Sequence, residues 1–284
     1  MAKPLKSRKR YQMDLAEGIL HLVPCNLCRN DNFTVKYNSP IRLSDQAELA
    51  NYLASTDRFD RYGQIVQCKN CGLVYTNPRP LSEYLQKSYR EVVDSEYIQE
   101  DSSRAINAYL SLSTIKKYVR EGKLLDIGCS TGFFLNAART DFEVVGLELS
   151  RWAADFARTK LKLKVANEDL ESAGFENNFF DIVTLIDTIE HLPSPADTFR
   201  EINRILKPSG MVYIVTPNID SFSAKILQGK WWGLRPAHLY YFSSKTLSLM
   251  LGKSGFEILL IRSFGRIFTY GYWVSRLRNY NPLV

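Results

Sequence analysis

Four of the five cysteines stand in two pairs, Cys25/Cys28 and Cys68/Cys71. A C-x-x-C spacing lets one turn present two thiolates, and two such turns make the four-sulfur tetrahedron that suits zinc. The second pair continues as CKNCG, where Gly72 can take the left-handed backbone such a turn often needs. A reducing compartment disfavours disulfides, so the expectation is a structural Zn2+ held by Cys25, Cys28, Cys68 and Cys71. Cys129 lies apart, in a glycine loop, and reads as a small buried residue rather than a nucleophile.

That loop is the second chemical group. Residues 124–132 read LLDIGCSTG, and Glu148 closes the next apolar run, EVVGLELS. A strand ending at Asp126 leads into Gly128 and Gly132, which let the backbone turn tightly and approach a ligand with no Cβ in the way. A helix, FFLNAARTD, follows with its amides facing the same space. Glu148 then sets a carboxylate where a pair of ribose hydroxyls needs an acceptor. The spacing is not the G-x-G-x-x-G of a dinucleotide site, and the acid ahead of Gly128 would repel a pyrophosphate. It suits a ligand that carries positive charge, such as the amino group and sulfonium of S-adenosylmethionine.

The chain has three histidines, His21, His191 and His238. His191 follows the apolar run FDIVTLID and reads as a base or a group orienting an acceptor; the plainer reading is a histidine packed on the cofactor that caps the turn before Pro193. His238 sits in the aromatic insertion KWWGLRPAHLYYFS, where a base or acceptor contact competes with a lid held together by Trp231, Trp232, Tyr240 and Tyr241. His21 precedes the cysteines and reads as structural or exposed.

These groups need strands and helices to position them. KLLDIG, EVVGLEL, a short run at 163–166, FDIVTLID, MVYIVTP and FEILLIRSF read as six strands. Helices alternate with them: FFLNAAR, SRWAADFARTK with Ser150 as its N-cap, 197–206 and 244–252, with another at 105–119 ahead of the first strand. The alternation implies an α/β fold, a doubly wound and mainly parallel sheet of Rossmann-like type. Ligands bind such sheets beyond the carboxyl ends of the strands. That rule gathers Asp126 and Gly128, Glu148, the loop Asn167, Glu168, Asp169 and Leu170, then Asp187, Thr188, Glu190 and His191, and finally Thr216, Pro217 and Asn218.

The loop from Asp126 to Gly132 resembles motif I of the class I S-adenosylmethionine-dependent methyltransferases. FDIVTLIDTIEHLPSP resembles motif IV and its extension in the branch that includes quinone and sugar methyltransferases, and RILKPSG with the strand after it resembles the next motif. The matches keep the family's order and spacing over 123–217; Ser130 stands where many members have a further glycine. The resemblance implies that Asp126, Gly128, Ser130 and Gly132 meet the methionine portion and that Glu148 holds the ribose. It implies further that Asp169 or the neighbouring Leu170 amide meets the adenine, with Asp187 on the sulfonium side. The paired cysteines, the second followed by GLVYTNPRP, resemble the N-terminal zinc module of bacterial methyltransferases of sugar and cell-surface glycan pathways. Deoxysugar C-methyltransferases are one such group; their C-terminal domain has no match here, so an oxygen acceptor is as well supported as carbon.

The expected organisation is a basic tail (1–20), a zinc lobe and linker (21–98) and a cofactor domain (99–284). A helix is expected at 47–55 inside the lobe and a helical link at 81–97. After FEILLIRSF only RIFTYGYWVSRLRNYNPLV remains, so the family's final strand is expected to be missing or irregular, leaving an apolar edge for a homo-oligomeric contact. Net charge is +7, much of it from Lys3, Lys6, Arg8, Lys9 and Arg10. No apolar stretch reaches the roughly twenty residues of a membrane span, and the basic start leads into QMDLAEG rather than a cleavable signal, so a cytoplasmic location is expected. The expected partner is a small-molecule or glycan acceptor. A ribosomal RNA methyltransferase with a zinc RNA-binding module suits the basic charge, but the fourth strand lacks the Asn-Pro-Pro-aromatic signature of amino-directed nucleobase methylation and no catalytic Pro-Cys pair for cytosine C5 appears. A non-catalytic zinc adaptor conflicts with the retained Asp126, Gly128 and Glu148.

Overall fold

The computed structural model describes residues 20–40, 62–91, 101–263, 265–271 and 274. The basic tail and the helix expected at 47–55 lie outside them. The chain divides into two compact units, one of Met1–Tyr89, Asp187–Arg200 and Thr216–Leu259, the other of Arg90–Ile186, Glu201–Val215 and Leu260–Val284.

In the first unit, β1 (Leu20–His21), β2 (Phe33–Tyr37), β3 (Ile65–Cys68), β4 (Val74–Thr76) and β5 (Arg79–Pro80) surround the cysteines. β1 pairs with β5; β2, β3, β4 and the later segment Tyr240–Tyr241 form an antiparallel sheet in the order Tyr240–Tyr241, β4, β3, β2. Its core joins Tyr62, Ile65 and Val74 from the lobe to Ile219 and Ala224 and to Trp231, Leu234 and Tyr241 from the aromatic insertion. The insertion is thus folded into the cysteine lobe, and its end is an edge strand of that sheet. The Thr76 amide donates to Leu239 O at 2.9 Å and the Thr76 hydroxyl to His238 O at 2.9 Å, which carries the pairing past the two-residue strand.

The second unit holds β6 (Lys123–Ile127), β7 (Glu143–Leu147), β8 (Val165–Ala166), β9 (Phe180–Ile186) and β10 (Leu206–Val215). All pair in parallel in the order β10-β9-β6-β7-β8. β6, β7 and β9 read as nearly continuous apolar runs, as strands of a covered parallel sheet do. Leu124, Ile182 and Val144 from the sheet pack with Leu135 and Ala138 from the helix Phe133–Ala138, Ala154 and Ala157 from the helix Arg151–Lys160, and Leu112 and Ile115 from the helix Asp101–Ile115. Ser150 caps the helix Arg151–Lys160 by accepting the Ala153 amide at 3.2 Å. The strand order reverses at β6, which lies between β7 and β9, and a reversal of that kind opens a crevice at the carboxyl ends. The fold is α/β and Rossmann-like.

One expected strand is absent. Residues 256–263 of FEILLIRSF form no strand, and Ile258, Leu259, Leu260 and Ile261 are exposed. An apolar run records a preference for extended backbone, whereas a strand also needs an edge to pair with in register. The run also crosses from one unit to the other between Leu259 and Leu260. Smaller shifts concern ends: the helix expected at 197–206 runs Pro195–Ile205, the one at 105–119 runs Asp101–Ile115, and the link at 81–97 is helical over Ser82–Glu91. Among the described residues the last strand is β11, Tyr240–Tyr241, and the helix Ser244–Lys253 follows it. Among the described residues, no helix is long and apolar enough to cross a membrane.

Candidate active site

The carboxyl ends of β6 and β7 bring together five of the residues singled out for a cofactor. The loop after β6 turns by left-handed backbone at Gly128 (φ 73°), Ser130 (φ 50°) and Gly132 (φ 83°). The Gly128 and Cys129 amides both donate to Leu147 O, at 2.8 and 3.0 Å, so the loop curls over the end of β7. A Cβ at Gly132 would stand 2.5 Å from Leu163 Cδ1, and one at Gly146 would stand 2.6 Å from Cys129 Sγ. Both glycines are therefore fixed by close approach. The serine at 130 occupies the conformation that glycine takes most easily, which accounts for the family's preference there.

Asp126 is buried at 3% exposure, and its Oδ1 accepts the Thr184 hydroxyl at 2.6 Å. Burial pushes its carboxyl up to about 7; the Thr184 bond works against this, and the Glu148 charge adds to it. Glu148 is partly buried. Its Oε2 accepts the Ser130 amide at 2.8 Å and its Oε1 the Ser150 amide at 2.7 Å. Burial raises its carboxyl despite those amides. Asn167, after β8, donates to Glu148 O at 2.7 Å and Leu149 O at 2.8 Å and so pins the segment that carries the carboxylate. Asp169 accepts the Ser172 amide at 2.9 Å, and Leu170 is buried. Sequence reasoning placed Asn167 at the correct rim and missed its clamp, as it missed Thr184. Asp187 belongs to the first unit and directly follows β9, in left-handed backbone at φ 51°.

In the first unit the four paired cysteines converge. Cys25 Sγ lies 3.4 Å from Cys71 Sγ, Cys28 Sγ lies 3.5 Å from Cys68 Sγ, and all four sulfurs lie within 4.8 Å of one another. Sulfurs about 2.3 Å from one tetrahedral ion stand roughly 3.8 Å apart, so the set fits zinc. Both turns are built alike. Arg29 N donates to Cys25 O at 2.8 Å and Gly72 N to Cys68 O at 3.0 Å, and Arg29 (φ 60°) and Gly72 (φ 79°) each take left-handed backbone after the second cysteine. Burial raises the Cys25 and Cys71 thiols, Cys71 to about 11, whereas the hydrogen bonds of Asn70, Asn30 and the neighbouring thiols outweigh burial at Cys28 and bring it to about 7.

A second cluster of the same unit joins both candidate bases. His191 ends the short 3-10 turn Ile189–His191, and the Leu239 amide donates to Glu190 O at 2.8 Å, which ties the segment bearing His238 to that turn. The two imidazoles meet edge to face with centroids 4.7 Å apart. His191 Nδ1 lies 2.9 Å from Ala237 O and 2.9 Å from the Tyr89 hydroxyl; His238 Nδ1 lies 2.9 Å from Gly233 O. A carbonyl only accepts, so Nδ1 carries the hydrogen in both rings and Nε2 is left as the lone pair. Burial holds His191 down at about 4 and His238 well below the ordinary range, so both are neutral at neutral pH. Glu190 completes the cluster at 1% exposure. Its Oε2 accepts the Thr216 hydroxyl at 2.9 Å, while Oε1 is buried without a partner. Burial pushes that carboxyl up to about 7 against the Thr216 bond and the Arg235 charge. The sequence listed Glu190 as a strand-end residue; its meeting with His238, from another segment, had no signal in the spacing. His21 lies apart in β1, its Nδ1 buried without a partner.

A family model described as a methyltransferase domain matches residues 96–261. The ubiquinone biosynthesis O-methyltransferase of Yersinia enterocolitica is 33% identical over 108 residues, which cover 36% of this chain and 45% of that protein. The enzyme of the same name from Yersinia pestis strain Pestoides F is 32% identical over 110 residues, 36% of this chain and 46% of that one. The chain thus spans about half the length of the curated relatives it matches. Among solved structures, a possible histamine N-methyltransferase from Thermotoga maritima is 24% identical with a TM-score of 0.49, covering 57% of this chain and 77% of that one. A SAM-dependent methyltransferase from Archaeoglobus fulgidus is 22% identical with a TM-score of 0.49, covering 66% and 91%.

Proposed function

We propose that this chain, which belongs to the methyltransferase-domain family, transfers a methyl group from S-adenosylmethionine to an oxygen of a sugar, glycan or related small acceptor. The observation that carries the reading is the pair of acids at the carboxyl ends of β6 and β7, with Glu148 holding the Ser130 amide of the glycine loop. Glu148 takes the ribose hydroxyls, the Asp126 to Gly132 loop takes the methionine portion, and the Asp169–Leu170 segment meets the adenine. Asp187 stands on the sulfonium side. When bound, S-adenosylmethionine supplies an electrophilic methyl on a good leaving group. The protein's task is to set the acceptor in line with that methyl and to draw off its proton.

His191 and His238 are the acceptor-side groups in this reading, because each is neutral and offers an Nε2 lone pair. In the sequence Glu190 stands four residues beyond Ile186, the end of β9, and Thr216 directly follows Val215, the end of β10. Oxygen rather than carbon is supported by the relatives named as O-methyltransferases. Cys25, Cys28, Cys68 and Cys71 would hold Zn2+ as a structural ion, since four protein thiolates leave no open position for catalysis.

Incubation with radiolabelled S-adenosylmethionine and separate pools of nucleotide sugars, glycans and ribosomal RNA tests the reading. Label should appear in a sugar or glycan pool. Label confined to RNA would overturn the acceptor, and no calorimetric binding of S-adenosylmethionine would overturn the cofactor.

A further inference from the structure

We infer that Glu190, His191 and His238 form a binding site for a divalent transition metal, separate from the four cysteines and with coordination positions left for an oxygen ligand. One ligand-capable atom of each residue lies within 4.8 Å of the other two. Three donors about 2.1 Å from a shared ion can stand at most roughly 3.6 Å from one another, so a separation at the 4.8 Å limit would have to close by about 1.2 Å. Two imidazoles and a carboxylate suit first-row divalent ions such as Mn2+, Co2+ or Zn2+, and three protein ligands leave the open position typical of catalytic rather than structural sites.

The surroundings are those of metal ligands. Each imidazole gives its Nδ1 hydrogen to a backbone carbonyl, Ala237 O or Gly233 O, which fixes the ring and leaves Nε2 for coordination. Glu190 is anchored through one oxygen by Thr216, and its other oxygen is buried with no partner. A buried carboxylate oxygen left unpaired is costly unless something occupies it, and a cation shared with His191 and His238 would do so. Arg235 opposes the ion, because its positive charge is felt by Glu190, His191 and His238 alike.

The role of such an ion rests on the reading of the preceding section. The open position would take an oxygen ligand such as the acceptor hydroxyl and lower its pKa, the proton leaving to solvent. The imidazoles would serve the acceptor through the cation rather than by taking the proton themselves.

The test uses the full chain as isolated, with its cysteine site saturated with Zn2+, and follows uptake of Mn2+ by the loss of the free-ion electron paramagnetic resonance signal. One equivalent should bind. Glu190→Gln, which keeps the Thr216 contact, should weaken binding by tenfold or more, and Arg235→Gln should tighten it. Co2+ added to the wild-type protein should give ligand-field absorption without a thiolate charge-transfer band. Failure of the wild-type protein to take up either ion, or uptake unchanged in Glu190→Gln, overturns the site. Calorimetry with S-adenosylmethionine on the same samples reports on cofactor binding alone, so the two readings fail separately.

Discussion

The Glu148 carboxylate accepts the Ser130 amide at 2.8 Å and so fastens the end of β7 to the glycine loop that follows β6. Ser130 sits at φ 50°, a conformation that costs a non-glycine residue about 1 kcal/mol or more and persists only where its surroundings impose it. Glu148 supplies that constraint and also accepts Ser150 N. Glu148→Ala removes two hydrogen bonds to a carboxylate, so urea titration should show a loss of about 2–4 kcal/mol. Calorimetry should show affinity for S-adenosylmethionine reduced at least tenfold. Unchanged affinity would mean that Glu148 only braces the loop.

Gly132 and Gly146 test the packing behind that loop. Gly132→Ala puts a methyl group 2.5 Å from Leu163 Cδ1 in left-handed backbone, and Gly146→Ala puts one 2.6 Å from both Cys129 Sγ and Leu135 Cδ1. Overpacking of this kind costs about 1–3 kcal/mol, and Gly132→Ala adds backbone strain. Denaturant midpoints should fall for both variants, further for Gly132→Ala. A neutral Gly132→Ala would show that the Leu163 side chain yields easily.

How far the sequence carried depends on how local each signal is. β6, β7 and β9 were legible because a strand covered on both faces is written as a short apolar run, and the glycines beside them mark turns. FEILLIRSF carried the same signal and formed no strand, because pairing depends on an edge that the run does not encode. The cysteine turns were legible for the opposite reason, since C-x-x-C fixes its own geometry. The cluster of Glu190 and His191 with His238 was not, because Leu239 must first bond Glu190 O and β11 must pair with β4. Those are long-range contacts with no spacing rule.

The cysteine site should govern the stability of the lobe around it. The strands next to it are short, β4 having three residues and β5 two, so they offer little apolar area. Structural zinc contributes on the order of 10 kcal/mol in small modules of this chemistry. One Zn2+ per chain is expected by elemental analysis of the isolated protein, and Cys68→Ala or prolonged chelation should remove it. Trp231, buried in the core shared with this lobe, should then become exposed and red-shift its fluorescence. An unaltered spectrum after complete metal removal would argue against a structural ion.

Asp126 should couple protons to both stability and cofactor binding near neutral pH. Burial raises its folded-state carboxyl to about 7, far above an unfolded aspartate. The folded protein therefore holds a proton that the unfolded chain has released. Stability from this group is full below about pH 4 and declines as pH rises through 7. A cationic ligand beside Asp126 favours the carboxylate, so binding of S-adenosylmethionine should release a proton below pH 7, and affinity should climb with pH until it levels off above 7. Glu190 titrates in the same range, so the comparison must be with Asp126→Asn, which can still accept the Thr184 hydroxyl. Calorimetry in buffers of different ionisation enthalpy measures the released proton, and melting curves from pH 5 to about 8 measure the slope in stability. Both should flatten in Asp126→Asn. Identical slopes in the two proteins would assign the proton to another group and leave Asp126 a structural acid bonded to Thr184.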